Sequence, residues 1–366
     1  MDENKRTCLY DQHVGLGALM SPFGGFDMPI QYEGIIEEHN AVRHSCGVFD
    51  VSHMGEVNVS GPDAERFVSY IFTNDIHGAD DGKIFYGMML RPDGGTVDDL
   101  LVYRRSADSF LLVINASNID KDVDWIRSNA GGFDVEIDNL SDDLGELAVQ
   151  GPDAEKVMQE VLGINCADLV FYTFREEMLD GKHILVSRTG YTGEDGFEIY
   201  ADHDTTVGFW LRLMESGRCK PCGLGCRDTL RFEVGLPLYG HELADDISPI
   251  EGSLSMFAKI DKEGGFIGRD AVAGQKAEGP RRRIVGLELA DRAIPRAGYP
   301  VLDMEGNTVG HVTTGYRGIS VDKSIAMALV DAHFAKTGTQ LQVQIRRKTY
   351  PATVTSRKFY NKNYKK

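Results

Sequence analysis

Cysteine is scarce in this sequence, which has six among 366 residues. That density excludes a small scaffold held together by disulfides. The first twenty residues include Asp2, Glu3 and Asp11 and no apolar segment of signal-peptide length, so we expect neither a secretory leader nor a transit peptide. These features predict reduced thiols and a cytoplasmic location.

The chain also lacks a long apolar run and an excess of basic residues. No stretch approaches the roughly 18 uninterrupted apolar residues of a membrane-spanning helix, so we expect no membrane segment. Acidic residues outnumber basic ones by 56 to 39, a formal net charge of -17, which disfavours nucleic acid as the main partner. The length and the 42% of hydrophobic residues predict a globular chain of two or three domains.

Several ligand-binding signatures are missing as well. There is no GxGxxG turn between a strand and a helix, no GxxxxGK[ST] loop and no GxSxG elbow. Cys219, Cys222 and Cys226 form a CxxCxxxC cluster, but neither a second CxxC nor a clustered histidine pair accompanies it. We therefore expect these thiols to pack in the core, and we expect no bound metal.

An internal repeat is the main clue to the fold. The segment GEVNVSGPDAE at 55–65 reappears 90 residues later as GELAVQGPDAE at 145–155. Each copy alternates like a strand and then runs into Gly-Pro, with Pro at the first helical position and acids in the first turn. Each copy therefore predicts a strand followed by a helix.

The similarity of the two copies continues more loosely downstream. Phe85-Tyr86 and Phe171-Tyr172 are each expected to open a strand, and Trp125 and Trp210 each lie in a predicted helix. Alternating runs at 100–103, 110–114, 183–187 and 197–200 predict hairpins. We infer an antiparallel α+β fold with two related βα-rich subdomains, about 53–140 and 141–235, within a region spanning 1–275.

The last part of the chain has a different texture. Residues 273–283 are polar and aperiodic, which predicts an irregular boundary. Short alternating runs at 284–289, 308–314, 325–330, 340–345 and 350–354 predict an all-β barrel or sandwich in residues 280–366. After Asp331 there are nine basic residues and no acidic one, which fits either a solvated terminus or a docking face for an acidic partner. The basic residues are Lys336, Arg346, Arg347, Lys348, Arg357, Lys358, Lys362, Lys365 and Lys366.

Three acidic side chains are candidates for chemistry or binding. Asp98 and Asp99 follow a turn and begin an apolar strand. Either both are solvated turn acids, or one of them is a proton acceptor and the other supports it. Glu198 interrupts an apolar strand and either points to solvent or receives a ligand edge with paired donors. Tyr191, in the glycine-rich segment before it, could offer its ring to a planar ligand.

Arg227 is a candidate anion-binding residue. It lies near the start of a predicted helix, where a cation opposes the helix dipole. Either a bound carboxylate or an ion pair with an acid such as Asp228 or Glu233 explains that position. The sequence leaves both explanations open.

Five motifs carry a family resemblance that spans the chain. They are FDVSHMGE at 49–56, GGTVDDL at 94–100, SRTGYTGEDGFE at 187–198, GLGCRD at 223–228 and FIGR at 266–269. In this order and spacing they resemble the aminomethyltransferase (T-protein) family of the glycine cleavage system. The resemblance implies a three-domain cloverleaf about a folate channel, tetrahydrofolate as cosubstrate, and the acidic lipoylated H-protein and the other glycine cleavage proteins as partners.

The resemblance also implies roles for single residues. In that family an aminomethyl group on a lipoyl sulfur gives its methylene carbon to tetrahydrofolate as ammonia leaves, and 5,10-methylenetetrahydrofolate results. Asp99 would be the catalytic carboxylate, supported by Asp98. The implied folate contacts are Glu198 on the pterin edge, Asn115 and Tyr191 on the rings, Tyr86 in the pocket wall and Arg227 on the tail.

Two other folate-related functions are alternatives. A folate-dependent demethylase component usually accompanies a nucleotide-binding flavin domain, and this chain has none of its signature. A folate-binding protein of iron-sulfur cluster maturation carries a KGCYxGQE motif, whereas this chain reads GLPLYGHE at 235–242. The sequence therefore favours the aminomethyltransferase.

Overall fold

The computed structural model describes residues 4–364, which form three main β structures. These are a five-stranded sheet, a six-stranded sheet and a closed six-stranded barrel, preceded by a two-stranded sheet near the N-terminus. Helices pack on the two large sheets. The predicted α+β fold with a C-terminal β barrel is confirmed.

The strands and helices have the following bounds. The strands are β1 (Leu19–Phe23), β2 (Phe26–Gln31), β3 (Gly47–Asp50), β4 (Gly55–Ser60), β5 (Ile84–Leu90), β6 (Thr96–Ser106), β7 (Ser109–Ile114), β8 (Glu136–Asn139), β9 (Leu144–Gln150), β10 (Phe174–Leu179), β11 (Lys182–Ser187), β12 (Gly196–Asp202), β13 (Lys220–Pro221), β14 (Arg282–Leu289), β15 (Pro300–Leu302), β16 (Thr308–Arg317), β17 (Ser324–Asp331), β18 (Gln340–Ile345) and β19 (Lys348–Thr355). The helices are α1 (Tyr10–Gly15), α2 (Ile35–His44), α3 (Ala64–Ile71), α4 (Ile119–Ser128), α5 (Ala154–Val157), α6 (His203–Ser216), α7 (Leu224–Glu233) and α8 (Arg269–Glu278). Across residues 4–364, no helix combines the length and the apolar character needed to span a bilayer.

The two large sheets share one plan, as the internal repeat predicts. The first has the strand order β5-β6-β7-β4-β8 and the second β10-β11-β12-β9-β3-β13, so the repeat strands β4 and β9 occupy corresponding places. Both copies turn at a glycine with positive φ, 126° at Gly61 and 131° at Gly151. The helices begin at Ala64 and Ala154. The expectation that the repeat prolines occupy the first helical position is therefore wrong by two residues.

The two large sheets pack face to face. One face of each sheet is covered by its own helices, with Val57 and Val102 in one core and Leu147 and Val149 in the other. The opposite faces meet in a mixed cluster of residues from both sheets. The cluster contains Ile84, Tyr103, Leu111, Val113, Phe174, Leu185 and Tyr200. Since side chains alternate along a strand, Asp99 faces the second sheet together with Leu101 and Tyr103.

Three local predictions differ from the structure. Phe171-Tyr172 does not open a strand, because Tyr172 has a φ of 65° and β10 begins at Phe174. The segment 273–283 is helical as far as Glu278, which leaves only a short irregular link before β14. The barrel contains an additional strand, β15. It has three residues and begins at Pro300, so it is too short to produce an alternating pattern.

Candidate active site

Asp98 lies inside β6 rather than in a turn, and it is completely buried. Its carboxylate accepts hydrogen bonds from the Asn115 backbone N–H at 3.0 Å, from Asn115 Nδ2 at 2.8 Å and from Asn118 Nδ2 at 2.7 Å. The solvated-acid interpretation is therefore wrong for Asp98. Three donors of this kind stabilise a buried carboxylate.

Asp99, the next residue, lines the space between the two large sheets. It accepts hydrogen bonds from the Tyr86 hydroxyl at 2.8 Å and from Asn115 Nδ2 at 3.1 Å. Burial, and then the charge of Asp98, raise the pKa of Asp99 to about 7. A carboxyl group with this pKa can exchange a proton near neutral pH, which general acid–base chemistry requires.

Glu198 lies on β12, in the opposite wall of the same space. Its side chain is buried, so the solvent-facing alternative is wrong. Glu198 Oε2 accepts a hydrogen bond from Thr189 Oγ1 at 2.5 Å. Burial raises the pKa of Glu198, while the Thr189 hydroxyl and the charge of Arg227 act against that rise. Its other oxygen remains an acceptor for a ligand.

Tyr191 and Arg227 form an aromatic–cation pair beside these carboxylates. The guanidinium carbon of Arg227 lies 4.8 Å from the centroid of the Tyr191 ring. The Tyr191 hydroxyl donates to the Pro237 carbonyl oxygen. Burial raises the pKa of Tyr191, the charges of Arg231 and Arg227 lower it, and the charge of Asp99 raises it.

Among residues 4–364, no hydrogen bond or ion pair involves the Arg227 guanidinium, and its buried Nη1 is unsatisfied. The acids that could have paired with it have other partners. Asp228 binds Arg231 at 2.7 Å, and Glu233 binds Arg43 at 3.3 Å. Arg227 therefore forms no ion pair with Asp228 or Glu233, and its role as an anion-binding residue stays a prediction.

The glycine-rich segment 187–198 mainly shapes the protein around Gln150. A side chain at Gly190 or Gly196 would collide with the Gln150 amide. Arg188 forms a buried ion pair with Asp195 at 2.7 Å. These glycines therefore serve internal packing rather than close approach of a ligand.

Six of the seven candidate residues come together in this inter-sheet space, and the seventh, Asp98, lies behind Asp99. Asp99, Tyr86 and Asn115 form one bonded group on the first sheet. Glu198 faces them from the second sheet, and Tyr191 and Arg227 lie between the two. The three cysteines of the CxxCxxxC cluster are instead buried in the core with free thiols.

Some polar residues near this space were not predicted. Asp122 shares a face of α4 with Ile119, Val123 and Ile126, and this helical spacing was the signal that could have identified it as buried. Glu56 and Glu146 are also buried between the sheets.

The basic C-terminal residues divide into two groups. Arg346, Arg347 and Lys348 are exposed at the turn that joins β18 to β19. The Arg357 guanidinium instead binds within the protein, where it donates to the carbonyl oxygens of Gly252 at 2.9 Å and Ser253 at 2.8 Å. The last two basic residues, Lys365 and Lys366, lie outside the described residues.

The segment after β19 returns to the rim of the inter-sheet space. The Asn363 backbone N–H donates to the Gly193 carbonyl oxygen at 2.8 Å. The Tyr364 ring stacks on Phe171 with a centroid distance of 4.2 Å. The end of the chain therefore packs against the loop that carries Tyr191, which the sequence did not indicate.

Comparison with known proteins agrees with this architecture. Residues 9–262 match the family model of the GCVT N-terminal domain, and residues 282–361 match that of the glycine cleavage T-protein C-terminal barrel domain. The second match coincides with the closed barrel of β14 to β19.

Full-length relatives give the same result. The aminomethyltransferases of Alkaliphilus oremlandii and Thermoanaerobacter pseudethanolicus are 49% and 47% identical to this chain, and each alignment covers 100% of both chains. The crystal structure of the glycine cleavage system aminomethyltransferase T from Bartonella henselae superposes with a TM-score of 0.95 at 34% identity, again over 100% of both chains.

The two-sheet core, the closed barrel and these matches define a transferase. The chain belongs to the aminomethyltransferase family, the T-proteins of the glycine cleavage system. This confirms the resemblance inferred from the five motifs. The matches do not favour a role in iron-sulfur cluster maturation or as a demethylase component.

Proposed function

We propose that this protein transfers the methylene carbon of an aminomethyl group, carried on a lipoyl sulfur, to tetrahydrofolate. The bond between that carbon and the amine breaks, ammonia leaves, and the lipoyl sulfur is released as a thiol. Tetrahydrofolate, when bound, supplies the two nitrogens that bond to the carbon as its bonds to the amine and to the sulfur break. The observation that carries the proposal is the pair Asp99 and Glu198, two carboxyl groups in opposite walls of one aromatic-lined space.

The donor set of this space fits a folate. A pterin edge presents adjacent N–H donors, and the buried Glu198 has an oxygen free to accept them. The rings require apolar and aromatic walls, which Tyr86 and Tyr191 supply. The glutamyl tail requires a cation, and the buried Nη1 of the Arg227 guanidinium has no hydrogen-bond partner among residues 4–364.

Asp99 would be the catalytic residue. Its raised pKa lets it take a proton near neutral pH and pass it on as the amine departs. Tyr86 and Asn115 would fix the orientation of its carboxylate through the bonds at 2.8 and 3.1 Å. Asp98 would act through Asp99, because its charge is one cause of the raised pKa.

We further propose a division of labour along the chain. The folate region would span residues 1–275, and the barrel domain 280–366. The barrel would help to dock an acidic lipoylated carrier, the H-protein, through the exposed turn at Arg346, Arg347 and Lys348. The free thiols in the described residues are consistent with a reducing cytoplasm.

The test of this function is ammonia release. Lipoylated carrier loaded with an aminomethyl group is mixed with the protein, with and without tetrahydrofolate. The proposal predicts ammonia release that depends on the protein and the folate together. Release at the same rate without the folate would reject tetrahydrofolate as the acceptor.

A further inference from the structure

Asp122 is a buried acid that the proposed reaction does not use. It lies on α4, and its side chain is 0% exposed. Neither carboxyl oxygen receives a hydrogen bond from an N–H or O–H group within residues 4–364. The nearby cation is Lys121, whose Nζ lies 3.7 Å from Asp122 Oδ1 and is itself bonded to the Tyr239 hydroxyl at 3.0 Å.

Asp122 lies one helical turn after Asn118, whose Nδ2 donates to Asp98 Oδ1 at 2.7 Å, so α4 brings the buried Asp122 carboxyl group to the same side of Asp98. The electrostatic influence of Asp98 on Asp122 agrees with this placement. Asp98 Oδ1 accepts two N–H groups, from Asn115 and Asn118, and Asp98 Oδ2 accepts one, from the Asn115 backbone. An N–H group only donates, so Asp98 is held as an acceptor. Oδ2 retains capacity for one more donor.

Two ionised carboxylates cannot remain in contact in a buried site with so few donors, because each raises the cost of charging the other. One of the two must hold a proton. Asp98 has three N–H donors that favour its charge, whereas Asp122 has none. The proton therefore belongs on Asp122, which can donate it in a hydrogen bond to Asp98.

We propose that Asp122 is a positioning residue: its protonated carboxyl group donates a hydrogen bond to Asp98 and so keeps Asp98 charged beside Asp99. The inference rests on the proposed role of Asp99. It extends the donor set of Asp98 from three N–H groups to four donors, one of them supplied by α4.

The electrostatics agree with this arrangement. Burial, and then the neighbouring Asp98, raise the pKa of Asp122 to about 11, while Lys121 lowers it. The charge of Asp99 is a smaller cause in the same direction as Asp98. Asp122 is thus neutral throughout the pH range in which Asp99 titrates, and only Asp98 exerts a charge on Asp99 from this side.

Three variants test the proposal. Asp122→Asn replaces one neutral donor by another, so we expect turnover and the acid limb of its pH profile to remain as in the wild type. Asp122→Leu removes the donor, and we expect turnover to fall by about tenfold or more, the usual effect of losing a hydrogen bond to a charged group. Asp124→Asn, at an exposed position on the same helix, is the matched control.

The opposite assignment makes a different prediction. If Asp122 were ionised, Asp122→Asn would remove a negative charge near Asp99. The acid limb would then move to lower pH by roughly one unit, and that result would overturn the proposal.

A second readout does not depend on catalysis. The infrared spectrum of the wild type minus that of Asp122→Asn, at neutral pH, should contain the carbonyl band of one protonated carboxylic acid, and the spectrum of the wild type minus that of Asp124→Asn should not. Absence of this band from the first difference spectrum would place the proton elsewhere and overturn the inference. Since this measurement needs no turnover, it separates a failure of the inference from a failure of the proposed role of Asp99.

Discussion

Glu56 and Glu146 occupy the same place in the two copies of the internal repeat, and both are buried where the two sheets meet. Glu56 lies on β4 and is 0% exposed, and Glu146 lies on β9 and is 2% exposed. Burial, and then the charge of Glu146, raise the pKa of Glu56 well above its usual value. Neither oxygen of Glu56 has a hydrogen-bond partner within the described chain.

This pair predicts a pH dependence of stability. The pKa of Glu56 is raised in the folded state, so the folded protein holds a proton that the unfolded chain loses above about pH 4.3. Stability should therefore fall as the pH rises. Glu56→Gln removes this bound proton. As the pH rises, the free energy of unfolding of Glu56→Gln should therefore increase relative to that of the wild type by up to about 1.4 kcal/mol per pH unit.

Urea unfolding between pH 5 and 8 measures the effect. Glu263→Gln is the control, because its side chain is 86% exposed. If the wild type and Glu56→Gln have parallel pH dependences, Glu56 is ionised in the folded protein.

The repeat shows how far the sequence leads. Local alternation and the Gly-Pro turns were enough to predict β4, β9 and the helices after them, because these signals depend only on neighbouring residues. The face-to-face packing of the sheets was not predictable from those signals. Glu56 and Glu146 are buried because of that packing.

Local sequence signals likewise predicted only part of the candidate site. The motifs identified Asp99, Glu198 and Arg227, since these residue types interrupt otherwise regular patterns. Asp122 was not predicted, although its helical spacing with Ile119, Val123 and Ile126 places it on the buried face of α4.

The raised pKa of Asp99 predicts the pH dependence of turnover. If Asp99 works as a proton acceptor, turnover should decline as the pH falls through about 7, where Asp99 becomes protonated. Asp98→Asn removes a neighbouring negative charge, so the decline should move to lower pH by roughly one unit.

Asp98→Asn also places an amide group among N–H donors, so its thermal unfolding is measured beside its pH profile. Asp108→Asn, at the exposed turn between β6 and β7, should leave both properties unchanged. A wild-type pH profile in Asp98→Asn would contradict the claim that the charge of Asp98 raises the pKa of Asp99.

Glu198 predicts a loss of folate affinity. Glu198→Gln keeps the shape and the bond from Thr189 but loses the charge that would accept two pterin donors. A hydrogen bond to a charged group contributes about 1.5 to 3 kcal/mol, so affinity should fall by about tenfold or more. Titration calorimetry with tetrahydrofolate measures it, with the exposed Glu215→Gln as control. Equal affinities in the two variants would exclude Glu198 from the folate contact.

The basic turn at Arg346, Arg347 and Lys348 predicts salt-sensitive docking. Replacing all three residues by Ser should raise the KM for the carrier and leave turnover at saturating carrier unchanged. The effect should fade as salt rises, since the Debye length is about 10 Å at 0.1 M.

A charge-matched control separates docking from net charge. Lys156, Lys182 and Lys276 are exposed outside the barrel, and replacing them by Ser removes the same charge. If the triple variant at Arg346, Arg347 and Lys348 keeps the wild-type KM and salt dependence, this turn is a solvated surface and not a docking face.

The most direct test of the central claim follows the carbon itself. In a single turnover with carrier whose aminomethyl carbon is labelled, the wild type should move the label into the folate fraction, with one ammonia released per labelled folate. Asp99→Asn should retain its fold by circular dichroism and much of its folate affinity, yet lose most of this transfer, because a carboxylate is replaced by a neutral amide of the same shape. Ammonia release without label in the folate, or label transfer by Asp99→Asn at the wild-type rate, would contradict the account.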